Sequence, residues 1–93
     1  MEDNDWKTIG EIISHKLKTK ILFLISSKIH TPSEISRNLN VSLSHVSNQI
    51  RYLREKMIIE CKNPSAKKGR LYAITEYGKE VIKIISKLKE SEF

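Results

Sequence analysis

Residues 31–57 read Thr31-Pro32-Ser33-Glu34-Ile35-Ser36-Arg37-Asn38-Leu39-Asn40-Val41-Ser42-Leu43-Ser44-His45-Val46-Ser47-Asn48-Gln49-Ile50-Arg51-Tyr52-Leu53-Arg54-Glu55-Lys56-Met57. Two helix starts stand in this stretch, one close behind the other. Thr31 is an N-cap, Pro32 suits the first helical position, and Glu34 sits where it can reach back to the Thr31 amide, so the three form a capping box. The helix they open is short, with Ile35 and Leu39 one turn apart. Asn40 tolerates the left-handed backbone that ends a helix, and Ser42 can cap the next one. Val41 is apolar inside this turn, so the turn itself is expected to pack into a core.

The helix that follows is expected over 43–57. Val46, Ile50, Leu53 and Met57 fall on one stripe at about 100° per residue. The opposite face holds Ser44, Asn48, Arg51 and Glu55, with His45, Ser47 and Tyr52 flanking. An ordinary solvated helix shows mixed Glu and Lys. This face shows short hydroxyls, an amide and an arginine.

Working outward, the period changes after Met57. Ile58-Ile59-Glu60-Cys61-Lys62 is β-branched and reads as a strand. Asn63-Pro64-Ser65-Ala66-Lys67-Lys68-Gly69 is a turn rich in breakers and cations, and Leu71-Tyr72-Ala73-Ile74 is the return strand. Thr75 is expected to cap a final helix with Val81, Ile82, Ile85 and Leu88 on its apolar side. Before the opening stretch, Trp6, Ile9, Ile12 and Ile13 recur at helical spacing, with Asp5 a plausible cap. Ser14 either caps a second helix or bends the first. Residues 15–29 carry Leu17, Ile21, Leu24 and Ile25 on one stripe, widened by Leu22, Phe23 and Ile29. A helix so broadly apolar is buried on two sides, either at the centre of the chain or against a second subunit.

The chain has 93 residues, 17 Lys+Arg against 11 Asp+Glu, and a formal net charge of +6. That is one domain's worth of chain, with little material to enclose a deep catalytic pocket. Cys61 is the single cysteine, which excludes a disulfide framework and a multi-cysteine zinc site. His15, His30 and His45 lie on different elements, without metal-ligand spacing. No apolar run approaches a membrane span. The acidic start, Glu2, Asp3 and Asp5, is unlike a secretory signal, so a cytoplasmic domain is expected. The positive charge lies in residues 6–74, and a basic bias of this kind points first to nucleic acid.

The element order is that of a mainly α winged helix-turn-helix with a small β-hairpin. One domain is expected over 1–93, with the helix-turn-helix at about 32–57, the wing at about 58–74 and the last helix at about 75–90. Thr31-Pro32-Ser33-Glu34-Ile35, Val41-Ser42-Leu43-Ser44-His45-Val46-Ser47 and Leu53-Arg54-Glu55-Lys56 resemble the core of archaeal and bacterial regulators of the ArsR and MarR type. Lys68-Gly69-Arg70 and Ile74-Thr75-Glu76-Tyr77-Gly78-Lys79 resemble their wing exit and last-helix start. The resemblance implies a dimeric repressor or activator of transcription. Metal-sensing members carry a cysteine in the helix that here reads Glu34-Ile35-Ser36-Arg37-Asn38-Leu39. None is present, so no such metal site and no cofactor are expected.

A recognition helix needs donors and acceptors near its N-terminus, on the face away from the core. Ser44, Ser47, Asn48 and Arg51 meet that need for double-stranded DNA, with His45 near a phosphate. Tyr52 either contacts the groove or packs against the wing. Lys67, Lys68 and Arg70 on the wing, helped by Lys62, would reach backbone or minor groove, and Arg37 would approach phosphate. Arg54, at the margin of the buried stripe, is expected to be a structural ion-pairing residue. Trp6, Ile9, Ile13, Ile82, Ile85 and Leu88 are the candidate homodimer surface, the alternative being that Trp6 closes the core of the chain. No effector pocket is legible, and no acid, base and nucleophile converge as an enzyme would require. The competing expectation is a winged-helix protein-interaction module in a larger assembly.

Overall fold

In the computed structural model, which describes residues 2–90, helix α1 runs Asp3–Ser14 and helix α2 runs Lys16–Ser27. The expected span 1–93 reaches beyond the described residues at both ends. Asp5 is not the cap of α1. It lies inside the first turn, where its Oδ2 accepts the Glu2 amide at 2.9 Å. The break between the two helices falls at His15, not Ser14. His15 is extended, and its Nδ1 accepts the Lys18 amide at 3.4 Å. The Ser14 hydroxyl turns back to Glu11 O.

Helix α3 (Pro32–Leu39) and helix α4 (Leu43–Glu55) follow. The Thr31 amide donates to Glu34 Oε1 and the Glu34 amide to Thr31 Oγ1, closing the expected box. The main-chain bond holds the Glu34 carboxyl below its usual pKa. Asn40 adopts φ 54. Ser36 clamps the turn from one side: its carbonyl accepts the Val41 amide at 3.2 Å and its hydroxyl donates to Val41 O at 2.6 Å. Ser42 then accepts the His45 amide.

Helix α4 ends earlier than the expected 57. Met57 is not on the buried stripe: it has φ 62 and is 71% exposed. The reason is local. The Met57 amide donates to Arg54 O and the Ile58 amide to Leu53 O, a paired closure that requires a left-handed residue at 57. Ile58, fully buried, takes the core position instead.

Strand β1 (Ile59–Cys61) pairs antiparallel with strand β2 (Tyr72–Ile74), Ile59 opposite Ile74 and Cys61 opposite Tyr72. Tyr72 also exchanges both main-chain bonds with His30, at 2.9 and 3.2 Å. The extended residue just before the helix-turn-helix thus becomes a third edge of the hairpin. His30 is buried, with Nδ1 2.8 Å from Lys28 O.

Helix α5 (Glu76–Glu90) starts at Thr75, whose Oγ1 accepts the Gly78 amide and donates to Met57 O. At Gly78 the helix meets the strand closely: a Cβ there would lie 2.2 Å from Ile58 O. The core joins Ile9 and Ile12 of α1, Ile21, Leu22 and Ile25 of α2, Ile35 of α3, Val46, Ile50 and Leu53 of α4, and Val81 and Ile85 of α5. Helix α2 packs against α1, α4 and β2, which accounts for its broad stripe within a single chain. Among the described residues no helix is long and apolar enough to cross a membrane.

Two substitutions at this junction have opposite signs. Gly78→Ala forces backbone against backbone and is expected to cost about 1–3 kcal/mol. Met57→Gly relieves a left-handed side-chain residue and is expected to add roughly 0.5–1 kcal/mol. Urea unfolding of both variants measures the pair.

Candidate nucleic-acid interface

Ser44, His45, Ser47, Asn48 and Arg51 are all exposed. Ser44, Asn48 and Arg51 lie on the side of α4 opposite Val46, Ile50 and Leu53, with His45 and Ser47 on its two flanks, because a helix that buries one stripe must present the rest. Ser42 and Ser44 hydroxyls stand 3.4 Å apart at the helix start. Leu43, the first residue of α4, is 49% exposed.

The wing tip is folded by two side chains. Asn63 Oδ1 accepts the Leu71 amide at 2.7 Å, and its Nδ2 donates to Gly69 O at 3.2 Å. Arg70 Nε donates to Ala66 O at 3.0 Å. Arg70 is therefore half-buried and braces the loop, with its guanidinium partly committed to the chain. Lys67 and Lys68 are left exposed at the tip. Lys62 pairs with Glu60 on the strand at 2.9 Å, an exposed contact that adds little stability.

Helix and wing border two hollows that share Pro32, Ser47, Arg70 and Tyr72 as lining. Arg51, Arg54 and Arg70 line one of about 180 Å³ with Ser47 and Tyr72. Leu43, Ser47, Lys67, Lys68 and Arg70 line the other, of about 420 Å³. Neither is lined by a carboxylate. Arg54 makes no ion pair among the described residues, contrary to the structural role expected of it. It joins the cationic group instead. The signal was available, since Ser47, Arg51 and Arg54 lie at i, i+4 and i+7. Arg37 is exposed on α3 and lines neither hollow.

Tyr52 departs from both expectations. It meets neither groove nor wing but turns toward α1, lining a cleft of about 520 Å³ with Thr8, Glu11 and Tyr77. Lys18 and Lys56 stand 4.6 and 5.7 Å from its ring centre. Burial, then the neighbouring Glu11, raises its pKa. The cause is a neighbour: α1 and the start of α5 cover this flank of α4, so Thr8, Glu11 and Tyr77 stand beside Tyr52. In the same cleft the Tyr77 hydroxyl donates to Asp5 Oδ1. That bond, then the Glu2 amide, holds the Asp5 carboxyl below its usual range. Burial, then Asp5, pushes Tyr77 up to about 12.

The candidate dimer residues divide. Trp6, Ile13 and Leu88 are 51%, 36% and 41% exposed, and Ile82 is half-buried. Ile9 and Ile85 are fully buried in the core, so they face the inside of the chain and not its surface. Cys61 is half-buried, with Sγ 3.5 Å from Asn63 Oδ1. Among the described residues no three His, Cys, Asp or Glu side chains gather to hold a metal ion.

The family model of the winged helix-turn-helix matches residues 11–93. No curated protein sequence matches significantly. Among solved structures, HlyU of Vibrio cholerae superposes with a TM-score of 0.75 at 20% identity, over 97% of this chain and 96% of that one. ZitR of Lactococcus lactis, in a C30AH42A mutant form, gives 0.72 at 23% identity, over 83% of this chain and 53% of ZitR, so the match spans about half of ZitR. Mb0332 of Mycobacterium bovis, a homodimeric winged helix-turn-helix DNA-binding domain and possible ArsR-family transcriptional regulator, gives 0.72 at 15% identity, over 99% and 87%. At these identities the likeness is one of fold. The source organisms are bacterial, which leaves the archaeal side of the resemblance without support.

The Tyr77–Asp5 contact gives a pH signature. A phenol whose folded pKa is raised contributes stability that is complete below its unfolded value near 10 and is lost as pH rises toward about 12. Denaturant unfolding from pH 9 to 12 is expected to show that fall at about pH 10–12. Tyr77→Phe is expected to make the fall shallower, leaving the contribution of Tyr52.

Proposed function

The chain belongs to the winged helix-turn-helix family, and from that premise we propose that it is a sequence-specific double-stranded DNA-binding transcription regulator acting as a homodimer. The observation that carries the reading is the meeting of Arg51, Arg54 and Arg70 on one hollow without a carboxylate. Like charges gathered without counter-ions call for an anionic partner, and the hollow shares Ser47 and Arg70 with the one bordered by the wing lysines. A sugar-phosphate strand has the charge and the continuous shape to fill both.

On this reading α4 enters the major groove by its N-terminal half. Asn48 pairs bidentately with adenine, Arg51 reaches guanine or phosphate, and Ser44 and Ser47 meet bases or backbone. His45 lies at the phosphate edge, where the helix N-terminus favours negative charge. Lys67 and Lys68 hold backbone or minor groove, and Arg37 approaches phosphate from α3. Arg70 keeps the wing folded through the Ala66 carbonyl and adds its charge to the hollow that meets the backbone. The protein works by binding, not catalysis, and in the cytoplasm. A two-fold pair doubles the base contacts and fits a palindromic site. The homodimeric state of Mb0332 and the exposed Trp6, Ile13 and Leu88 support pairing.

Selection of duplexes from a random pool, followed by titration at several salt concentrations, tests the proposal. Affinity is expected to fall steeply with salt, as counterion release demands. Asn48→Ala is expected to relax preference at one base pair by about 1–3 kcal/mol. Lys68→Ala and Arg54→Ala are each expected to weaken all sequences alike and to lower the salt slope by about one per site. A chain that binds no duplex at low ionic strength would overturn the reading.

A further inference from the structure

Leu43 is out of character with its surroundings. It is the first residue of α4, directly after the Ser42 cap, and it stands exposed among hydroxyls, an amide and cations. The other exposed large apolar residues are Trp6, Ile13, Ile29, Met57 and Leu88. None of them lines a wing-side hollow. Leu43 does. With Pro32 it gives the larger hollow an apolar part, beside Ser47 and the cations Lys67, Lys68 and Arg70.

Helix geometry sets the direction. At about 100° per residue, Leu43 falls within about 40° of Ser47 and about 20° of Arg54, both of which border the wing-side hollows. Leu43 thus combines two positions. It belongs to the first turn, the end of a recognition helix that meets base edges, and it sits on the flank nearest a strand held by the wing lysines.

The major groove offers an apolar side chain few partners. Its edges are donors and acceptors, and the one apolar group among them is the C5-methyl of thymine. That methyl lies at the outer end of the base pair's groove edge, next to the thymine's own sugar-phosphate strand. The other apolar surface of a duplex is the sugar, which repeats at every position and carries no sequence information.

We propose that Leu43 reads one thymine through its C5-methyl, on the strand whose backbone occupies the hollow with Lys67 and Lys68. The contact rests on the DNA-binding reading above. It adds to that reading a base preference that needs no hydrogen bond. Uracil keeps the pairing and hydrogen-bonding edge of thymine and lacks only the methyl. 5-Methylcytosine carries the same methyl on the other base pair. Leu43 responds to the methyl and not to the pair that bears it.

Duplexes selected by the full chain, with each thymine replaced in turn by deoxyuridine, supply the test. Loss of the methyl at one thymine per bound chain is expected to weaken binding about fourfold, the worth of one buried carbon. Leu43→Ala is expected to bind the thymine and uracil duplexes alike, with its helical circular dichroism unchanged. At the same position 5-methylcytosine is expected to bind about fourfold tighter than cytosine, a difference that Leu43→Ala also erases. Binding indifferent to uracil at every thymine, or a uracil effect that Leu43→Ala leaves whole, overturns the contact and leaves the DNA-binding reading standing. So does a Leu43→Ala chain that weakens every sequence equally, the mark of a sugar contact. A chain that binds no duplex at low ionic strength overturns both.

Discussion

Strand β2 is paired along both edges, with β1 on one side and, through both main-chain bonds of Tyr72, with His30 on the other. Much of the structure hangs on that double pairing. A lone two-stranded hairpin is marginal in water. Here it gains a third edge from the residue that immediately precedes the Thr31 cap. The Tyr72 ring is itself buried, so strand, helix entry and core are tied at one residue. The wing therefore has one orientation relative to α4, and Arg70 is held over the same hollow as Arg51 and Arg54.

The second junction works by closeness, not by hydrogen-bond count. Thr75 Oγ1 reaches the carbonyls of Met57 and Ile58, and Gly78 lets α5 settle against Ile58. The turn that ends α4 and the turn that begins α5 thus share one set of carbonyls. Displacing either end moves the other. The Tyr77–Asp5 bond then carries the same constraint to α1, which places the exposed Trp6 and Ile13 in fixed relation to the wing.

The starts of α3 and α4 are legible because their signals are local, whereas the caps of α1 and α2 fall at Glu2 and His15 and not at Asp5 and Ser14. Thr31 with Glu34, Asn40 and Ser42 each act within a few residues, and all were found where the pattern put them. The wing and its exposed lysines followed from a change of period and a cluster of breakers. What was missed depends on distant partners or on an angle. The His30 pairing needs Tyr72, far along the chain. The need for Gly78 appears only when Ile58 lies against it. Tyr52 meets α1 and Tyr77, partners far away in the sequence, and Arg54 sits at the edge of the helix stripe, where a small rotation decides which neighbour it meets. Ile9 and Ile85 lie in the core, and apolar spacing alone does not tell a core stripe from an interface stripe. Met57 matched the helical period, but the closing turn at 57 left it in solvent.

Helix α4 divides its labour by face. Val46, Ile50 and Leu53 hold the core, while Ser44, Ser47 and Asn48 are exposed. Exchanges at such exposed positions usually shift stability by no more than about 0.5 kcal/mol. The outward row can therefore drift through many combinations while the scaffold stays intact. Descendants of one such gene can come to prefer different targets without first acquiring a stabilising mutation elsewhere.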